Sequence, residues 1–199
     1  MAQRQAGSAF KPFVYLTAME QGRTPATPVV DEPVKIGDWE PKNYTNKYLG
    51  PMTLETALAQ SINTVAARLA NEVGTGNVAS TARRLGITSR IQLDPSMALG
   101  AVEVSPLDMA QAYAPFANGG FLAHGYGIER IRTASGKVLY DHGVDKPERK
   151  PVIGSPALQY MNQMMRQVIA SGTGTRARVP GFAIAGKTGA TSDYRDAWV

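Results

Sequence analysis

The chain has 199 residues, 43% of them hydrophobic and 19% charged, with a formal net charge of +5 and no cysteine. That composition describes a single globular domain large enough to bury a core; it excludes a disordered tail, a spanning helix (no apolar run approaches about 20 residues) and disulfide or cysteine–zinc staples, while leaving the compartment open. The pI near 9.5 comes without a basic run or an alternation of basic and aromatic residues, so it reads as a solvated surface with a slight lysine and arginine excess and implies no nucleic-acid partner.

Met1 to Gln5 lack the apolar stretch of a secretory signal. Lys11 to Glu20 predict the first helix, with Pro12 in the first turn, where a missing N–H costs little, and Gly22 just past the end. This helix is apolar on nearly every side and should be buried. Arg23 to Pro51, rich in proline, glycine and scattered polar residues, read as an irregular, partly extended surface segment. Helical pattern returns at Leu54 to Ala59 and at Thr64 to Val73, where Val65, Ala66, Leu69, Ala70 and Val73 share one face; Ser61-Ile62-Asn63 interrupt the two.

Ser105-Pro106 and Ser155-Pro156 each place a capping hydroxyl before a first-turn proline and predict two more helices. The second carries Leu158, Met161, Met165 and Val168 at helical spacing, a core stripe. Between them, Ile128 to Thr133 and Lys137 to Tyr140 flank Ala134-Ser135-Gly136 as a β-hairpin. The chain closes with Ser171-Gly172-Thr173-Gly174-Thr175 and a strand-like run, Phe182 to Gly186, that feeds Lys187-Thr188-Gly189.

Three elements carry chemistry: Ser8-Ala9-Phe10-Lys11, Ser61-Ile62-Asn63 and Lys187-Thr188-Gly189. Ser8 at the mouth of a helix can supply both a nucleophile and, through its unpaired backbone N–H, an oxyanion donor; Lys11 follows one turn later on the same face. A serine hydroxyl needs a base, and a lysine serves only when apolar surroundings or a nearby cation destabilise its ammonium form. Phe10 and Phe13 are suitable apolar neighbours and Lys187 a suitable cation. Singly, each element also fits a bland reading: Ser8 as a helix cap with Lys11 solvated, Ser61 and Asn63 bonding their own backbone in a turn. His124 and His142 have no carboxylate at metal spacing and are assigned no role. Arg176 and Arg178 read as solvated in preference to contacting anionic glycan strands.

S-x-x-K, S-D-N and K-T-G are together the signature of penicillin-binding proteins and β-lactamases, which the three elements resemble. Longer stretches resemble the transpeptidase domain of the bifunctional high-molecular-weight penicillin-binding proteins: Gln3 to Phe13, Thr53 to Asn63, Leu99 to Ala110, Ala117-Asn118-Gly119-Gly120, and Gly186 to Gly189 followed by Tyr194-Arg195-Asp196-Ala197-Trp198. The resemblance covers essentially the whole chain. It implies an α+β fold of the serine β-lactamase and D,D-transpeptidase type, in which a five-stranded antiparallel sheet is packed by helices beside a helical subdomain. Because two strands should precede Ser8 and two should follow Gly189, residues 1–199 are expected to be one partial domain. On this view it is truncated at both ends, its sheet is incomplete, and a glycosyltransferase domain and N-terminal membrane anchor lie outside it.

The resemblance further implies serine acyl transfer without a cofactor. Ser8 is the nucleophile and Lys11 its base, Ser61 relays a proton to the leaving amine, and Asn63 positions the lysine and the substrate amide. Lys187 and Thr188 hold the substrate carboxylate, Gly189 allows close approach, and the N–H of residue 190 is a second oxyanion donor, with Thr191 completing the substrate-binding strand. Ala190 departs from the threonine many members carry there, which removes one carboxylate-binding hydroxyl. The implied partners are peptidoglycan stem peptides ending in D-Ala-D-Ala, and β-lactams. The implied location is the periplasmic, outer face of the cytoplasmic membrane, with membrane contact only through the missing anchor. Two alternatives stand beside this reading: an incomplete, non-catalytic penicillin-binding remnant, and a serine β-lactamase. The absence of an E-x-x-L-N glutamate and the replacement of S-x-V by Ser61-Ile62-Asn63 weigh against the latter.

Overall fold

The computed structural model describes residues 2–145, 149–191 and 196–199. In chain order the elements are β1 (Arg4–Gln5), a 3₁₀ turn over Gly7–Phe10, α1 (Lys11–Glu20), β2 (Pro28–Asp31), β3 (Gly50–Thr53), α2 (Leu54–Ala59), α3 (Asn63–Val73) and α4 (Thr75–Arg84). A second 3₁₀ turn over Pro95–Leu99 leads to β4 (Glu103–Val104), α5 (Pro106–Ala117), β5 (Arg130–Arg132), β6 (Val138–Asp141), α6 (His142–Asp145), α7 (Ala157–Ala170), β7 (Gly189–Ala190) and β8 (Ala197–Trp198). No helix among the described residues is long and apolar enough to cross a membrane.

The fold is α+β, with most of the mass in helices. Helix α1 lies at the centre, buried from Lys11 to Met19, against α3, α4 and α7, while α7 also covers α2. Its all-round apolar sequence leaves no polar face to turn to water, so neighbours must enclose it. Phe10, Phe13 and Tyr113 form a chain of edge-on ring contacts under the 3₁₀ turn, with centroids 5.0 and 6.1 Å apart. The expected stripes of α3 and α7 face inward: Leu69 and Ala70, and Met161 and Val168, are all buried.

The antiparallel part consists, among the described residues, of four two-stranded pairs: β1 with β4, β2 with β3, β5 with β6 and β7 with β8. Ser105 caps α5 as expected, accepting the Asp108 N–H at 3.0 Å. Ser155 does not cap α7, which begins at Ala157 with Pro156 in the cap position and no side-chain hydrogen bond. Helix α4 has no counterpart in the sequence reading, because Val78, Ala79 and Ala82 make only a short stripe between threonines and arginines.

Two regions differ from expectation. Residues 23–51 are not merely irregular surface: β2 pairs with β3 from Pro28↔Thr53 to Asp31↔Gly50, and Asp31 and Asn43 are buried. Conversely, Phe182 to Gly186 form no ladder among the described residues, and Phe182 is 74% exposed. A strand needs a neighbour to satisfy its N–H and C=O groups, and here the backbone bonds are a local one from the Phe182 N–H to the Val179 carbonyl and one from the Gly186 N–H to the Met165 carbonyl, both at 3.2 Å.

Phe13, fully buried and in ring contact on both sides, is the keystone of this packing. Phe13→Ala should lower unfolding free energy by about 3–5 kcal/mol, read from urea denaturation; a loss below about 1 kcal/mol would show that the core closes over the gap.

Candidate active site

Ser8 sits in the 3₁₀ turn that feeds α1, its side chain partly exposed and its hydroxyl without a hydrogen-bond partner among the described residues. Three backbone contacts hold this turn. The Gly7 N–H donates to Gly100 O at 3.1 Å, the Ala6 N–H donates to Val102 O at 3.0 Å, and β1 pairs with β4 immediately upstream. From α5, Tyr113 Oη donates to the Ala9 carbonyl at 2.6 Å. Burial raises the Tyr113 pKa, keeping that donor protonated.

Strand β7 runs directly against the turn. A Cβ on Gly189 would fall 2.7 Å from the Ala9 nitrogen, and one on Gly7, whose φ is +53°, would fall 2.4 Å from the Ala190 carbonyl oxygen. Only glycine permits this approach, which brings the third motif within reach of the first.

Lys11, the first residue of α1, has no exposed surface. Its Nζ donates to the Ser61 carbonyl at 2.7 Å, Ser61 Oγ at 3.2 Å and Asn63 Oδ1 at 2.7 Å. Burial, and secondly the charge of Lys187, push the Lys11 amine well below the usual lysine range. Lys187 is itself buried; its Nζ donates to Ser61 Oγ at 2.9 Å and to the Thr188 carbonyl at 2.7 Å, and burial lowers its pKa to about 7. Ser61 Oγ thus bridges two lysines. Its backbone lies at φ +57°, a left-handed conformation uncommon for a side-chain-bearing residue.

The structure therefore gathers Lys11, Ser61, Asn63 and Lys187 into one hydrogen-bonded group, with Ser8 one helical turn from Lys11. Thr188 lies beside it, its hydroxyl 2.5 Å from that of Thr173. Ala190 is exposed, while Thr191 Oγ1 accepts the Asp196 N–H at 2.9 Å. Tyr194 and Arg195 lie outside the described residues. His142 stands apart, stacked on Tyr126 with its Nδ1 3.1 Å from Tyr140 Oη. Arg178 is not free in solvent: its guanidinium holds the Ile169 and Ala170 carbonyls at the end of α7, where unpaired C=O groups collect.

Four residues in this arrangement carry no sequence signal. Tyr113 and Thr173 look like an ordinary core tyrosine and a loop threonine, and Asp31 and Asn43 lie in a segment without periodicity. Asn43 Oδ1 accepts the Asn63 N–H at 2.9 Å, and Asp31 accepts from Asn43.

A buried lysine sharing a serine with a second lysine thus lies beside a serine at a helix mouth and the Lys187-Thr188-Gly189 segment, a grouping of hydroxyl and low-pKa amine of the kind nucleophilic catalysis calls for. The penicillin binding protein transpeptidase domain matches residues 2–197, and the chain belongs to that family. Penicillin-binding protein 1A of Aquifex aeolicus is 40% identical over 205 residues, covering 99% of this chain and 27% of the relative. The structure of penicillin-binding protein 1A from Haemophilus influenzae superposes with a TM-score of 0.87 at 32% identity, over 98% of this chain and 36% of that one. PonA1 of Mycobacterium tuberculosis in complex with penicillin V superposes at 0.85 with 25% identity, over 96% of this chain and 54% of that one. The chain thus spans about a quarter of the length of the Aquifex protein.

The close approach of β7 is open to test. Gly189→Ala should cost about 1–3 kcal/mol in urea unfolding through overpacking. Gly127→Ala, where an added Cβ meets nothing within 4 Å, should leave stability unchanged; equal effects would rule out the steric account.

Proposed function

We propose that the chain carries a D,D-transpeptidase site that cross-links peptidoglycan stem peptides through an acyl-enzyme on Ser8. The observation that carries this reading is the Ser61 hydroxyl held between the two buried lysine amines. In the neutral form favoured by burial, Lys11 takes the Ser8 proton as Oγ attacks the carbonyl of the penultimate D-alanine. The C–N bond to the last D-alanine breaks, and Ser61 passes a proton to the departing amine, with Lys11 and Lys187 as its proton partners. Asn63 holds the Lys11 amine and the substrate amide.

Lys187 and Thr188 receive the terminal carboxylate, and the N–H groups of Ser8 and Ala190 face the developing oxyanion. The acyl group then passes to the side-chain amine of a second stem, which loses its proton and restores Ser8. A β-lactam, as an analogue of the D-Ala-D-Ala end, is attacked at its ring carbonyl and stays attached, and the complex of PonA1 with penicillin V supports this ligand class. Such a site operates where its substrate is, on the outer face of the cytoplasmic membrane.

Fluorescent penicillin should label the chain covalently and Ser8→Ala should abolish the label; label persisting in Ser8→Ala rules out the assigned nucleophile. The pH dependence has a defined sign. Labelling rises with pH as Lys11, held well below the usual lysine range, loses its proton, and is opposed as pH passes about 7 and Lys187 ceases to be a cation for the carboxylate. Removing the Lys187 charge lifts one of the two causes that depress Lys11. In Lys187→Ala the rising limb should therefore move to higher pH; an unmoved limb contradicts Lys11 as the base.

A further inference from the structure

The segment between β2 and β3 holds a buried polar hub that the acyl-transfer chemistry does not use directly. Asp31, at the end of β2, is 1% exposed, and no ion pair reaches it among the described residues. Its carboxylate accepts four hydrogen bonds: Asn43 Nδ2 at 2.8 and 3.0 Å, Thr64 Oγ1 at 2.5 Å and the Leu49 N–H at 2.8 Å. A carboxylate can only accept. It therefore fixes which way the Asn43 amide points: nitrogen toward Asp31 and the Lys47 carbonyl, oxygen toward the start of α3.

That oxygen accepts the N–H groups of Asn63 at 2.9 Å and Thr64 at 3.3 Å. Helix α3 has Ile62 in its cap position and no side-chain cap of its own. Its first N–H groups, which a helix cannot satisfy internally, are thus capped by a residue 20 positions upstream. Lys42, the neighbour of Asn43, accepts Asn63 Nδ2 on its carbonyl at 2.8 Å. With its side-chain nitrogen drawn to the Lys42 carbonyl, the Asn63 amide turns Oδ1 to the Lys11 amine, at 2.7 Å.

We propose that Asp31 and Asn43 are positioning residues: together they orient Asn63 so that its Oδ1 holds the Lys11 amine in place. In its effect on acylation the proposal rests on the acyl-transfer reading above; in its effect on Lys11 it does not. Asp31→Asn sets two amides against each other and turns the Asn43 nitrogen toward the Asn63 N–H. Asn43→Asp sets two carboxylates against each other. The exchange Asp31→Asn with Asn43→Asp puts a donor back opposite an acceptor and keeps an oxygen toward the start of α3, at the loss of the bond to Lys47 and of one acceptor, toward either Thr64 Oγ1 or the Leu49 N–H.

Two readouts test this in the full chain. The first is the ¹³Cε NMR signal of Lys11, identified by its loss in Lys11→Arg. The second is the acylation rate at saturating fluorescent penicillin, measured beside the final labelled fraction. Each single variant should shift the Lys11 signal and slow acylation roughly ten- to hundredfold with the labelled fraction unchanged, and the exchange should recover a large part of both. A structural role alone would instead lower the labelled fraction and leave the rate of the remainder untouched; that result, an unmoved Lys11 signal, or an exchange no better than the single variants overturns the proposal. Should the single variants unfold, Thr64→Val removes one donor to Asp31 and should move the Lys11 signal in the same direction by less; no movement counts against the hub. A wild-type chain without Ser8-dependent label overturns the acyl-transfer reading alone, and the Lys11 signal then decides the hub.

Discussion

A lysine amine with no exposed surface is the constraint on which this structure turns. An ammonium taken out of water is costly unless acceptors surround it or its proton is given up. Lys11 meets that requirement with the Ser61 carbonyl, Ser61 Oγ and Asn63 Oδ1. The second amine, Lys187, shares Ser61 Oγ and adds its own field, which makes Lys11 easier to deprotonate. Placing three chain segments against one buried atom asks more of the fold than any single helix can supply.

The fold answers with close backbone contacts around a rigid helix. Because α1 is apolar on all sides, it is clamped by α3, α4 and α7, and Lys11 rides in on a helix that cannot rotate to expose it. The Leu99 to Val104 segment and Tyr113 fix the serine turn, glycine lets β7 reach it, and the Asp31–Asn43 hub fixes the start of α3. Each contact is modest alone, a hydrogen bond being worth about 0.5–1.5 kcal/mol net. Together they leave the motif side chains little freedom, which is the condition for acid–base chemistry between groups at fixed distance.

Much of this was legible in the sequence because it is local. The helix of Lys11 to Glu20, the inward stripe of α3 and the Ser105 cap follow from periodicity and capping chemistry within a few residues. The three motifs were legible as residue types, and their kinship with one family gave them an order and a fold. The misreadings share a cause. Phe182 to Gly186 look like a strand, but a strand is a property of two segments. Ser155-Pro156 look like a cap, but the helix starts two residues after Ser155. Arg178 looks solvated, yet the end of α7 supplies carbonyls for it.

The sequence by itself determined helices α1, α2, α3, α5 and α7, that α1 must be buried, and which serine, lysine and asparagine residues are candidates for the site. Only the tertiary structure decided that Lys11 is desolvated, that Ser61 lies between two amines, and that Asp31 and Asn43, in a stretch without pattern, govern how Asn63 faces Lys11. The reason is physical. Periodicity and capping act over a few residues of chain, whereas desolvation and hydrogen-bond geometry are sums over atoms contributed by segments that meet only once the chain has folded.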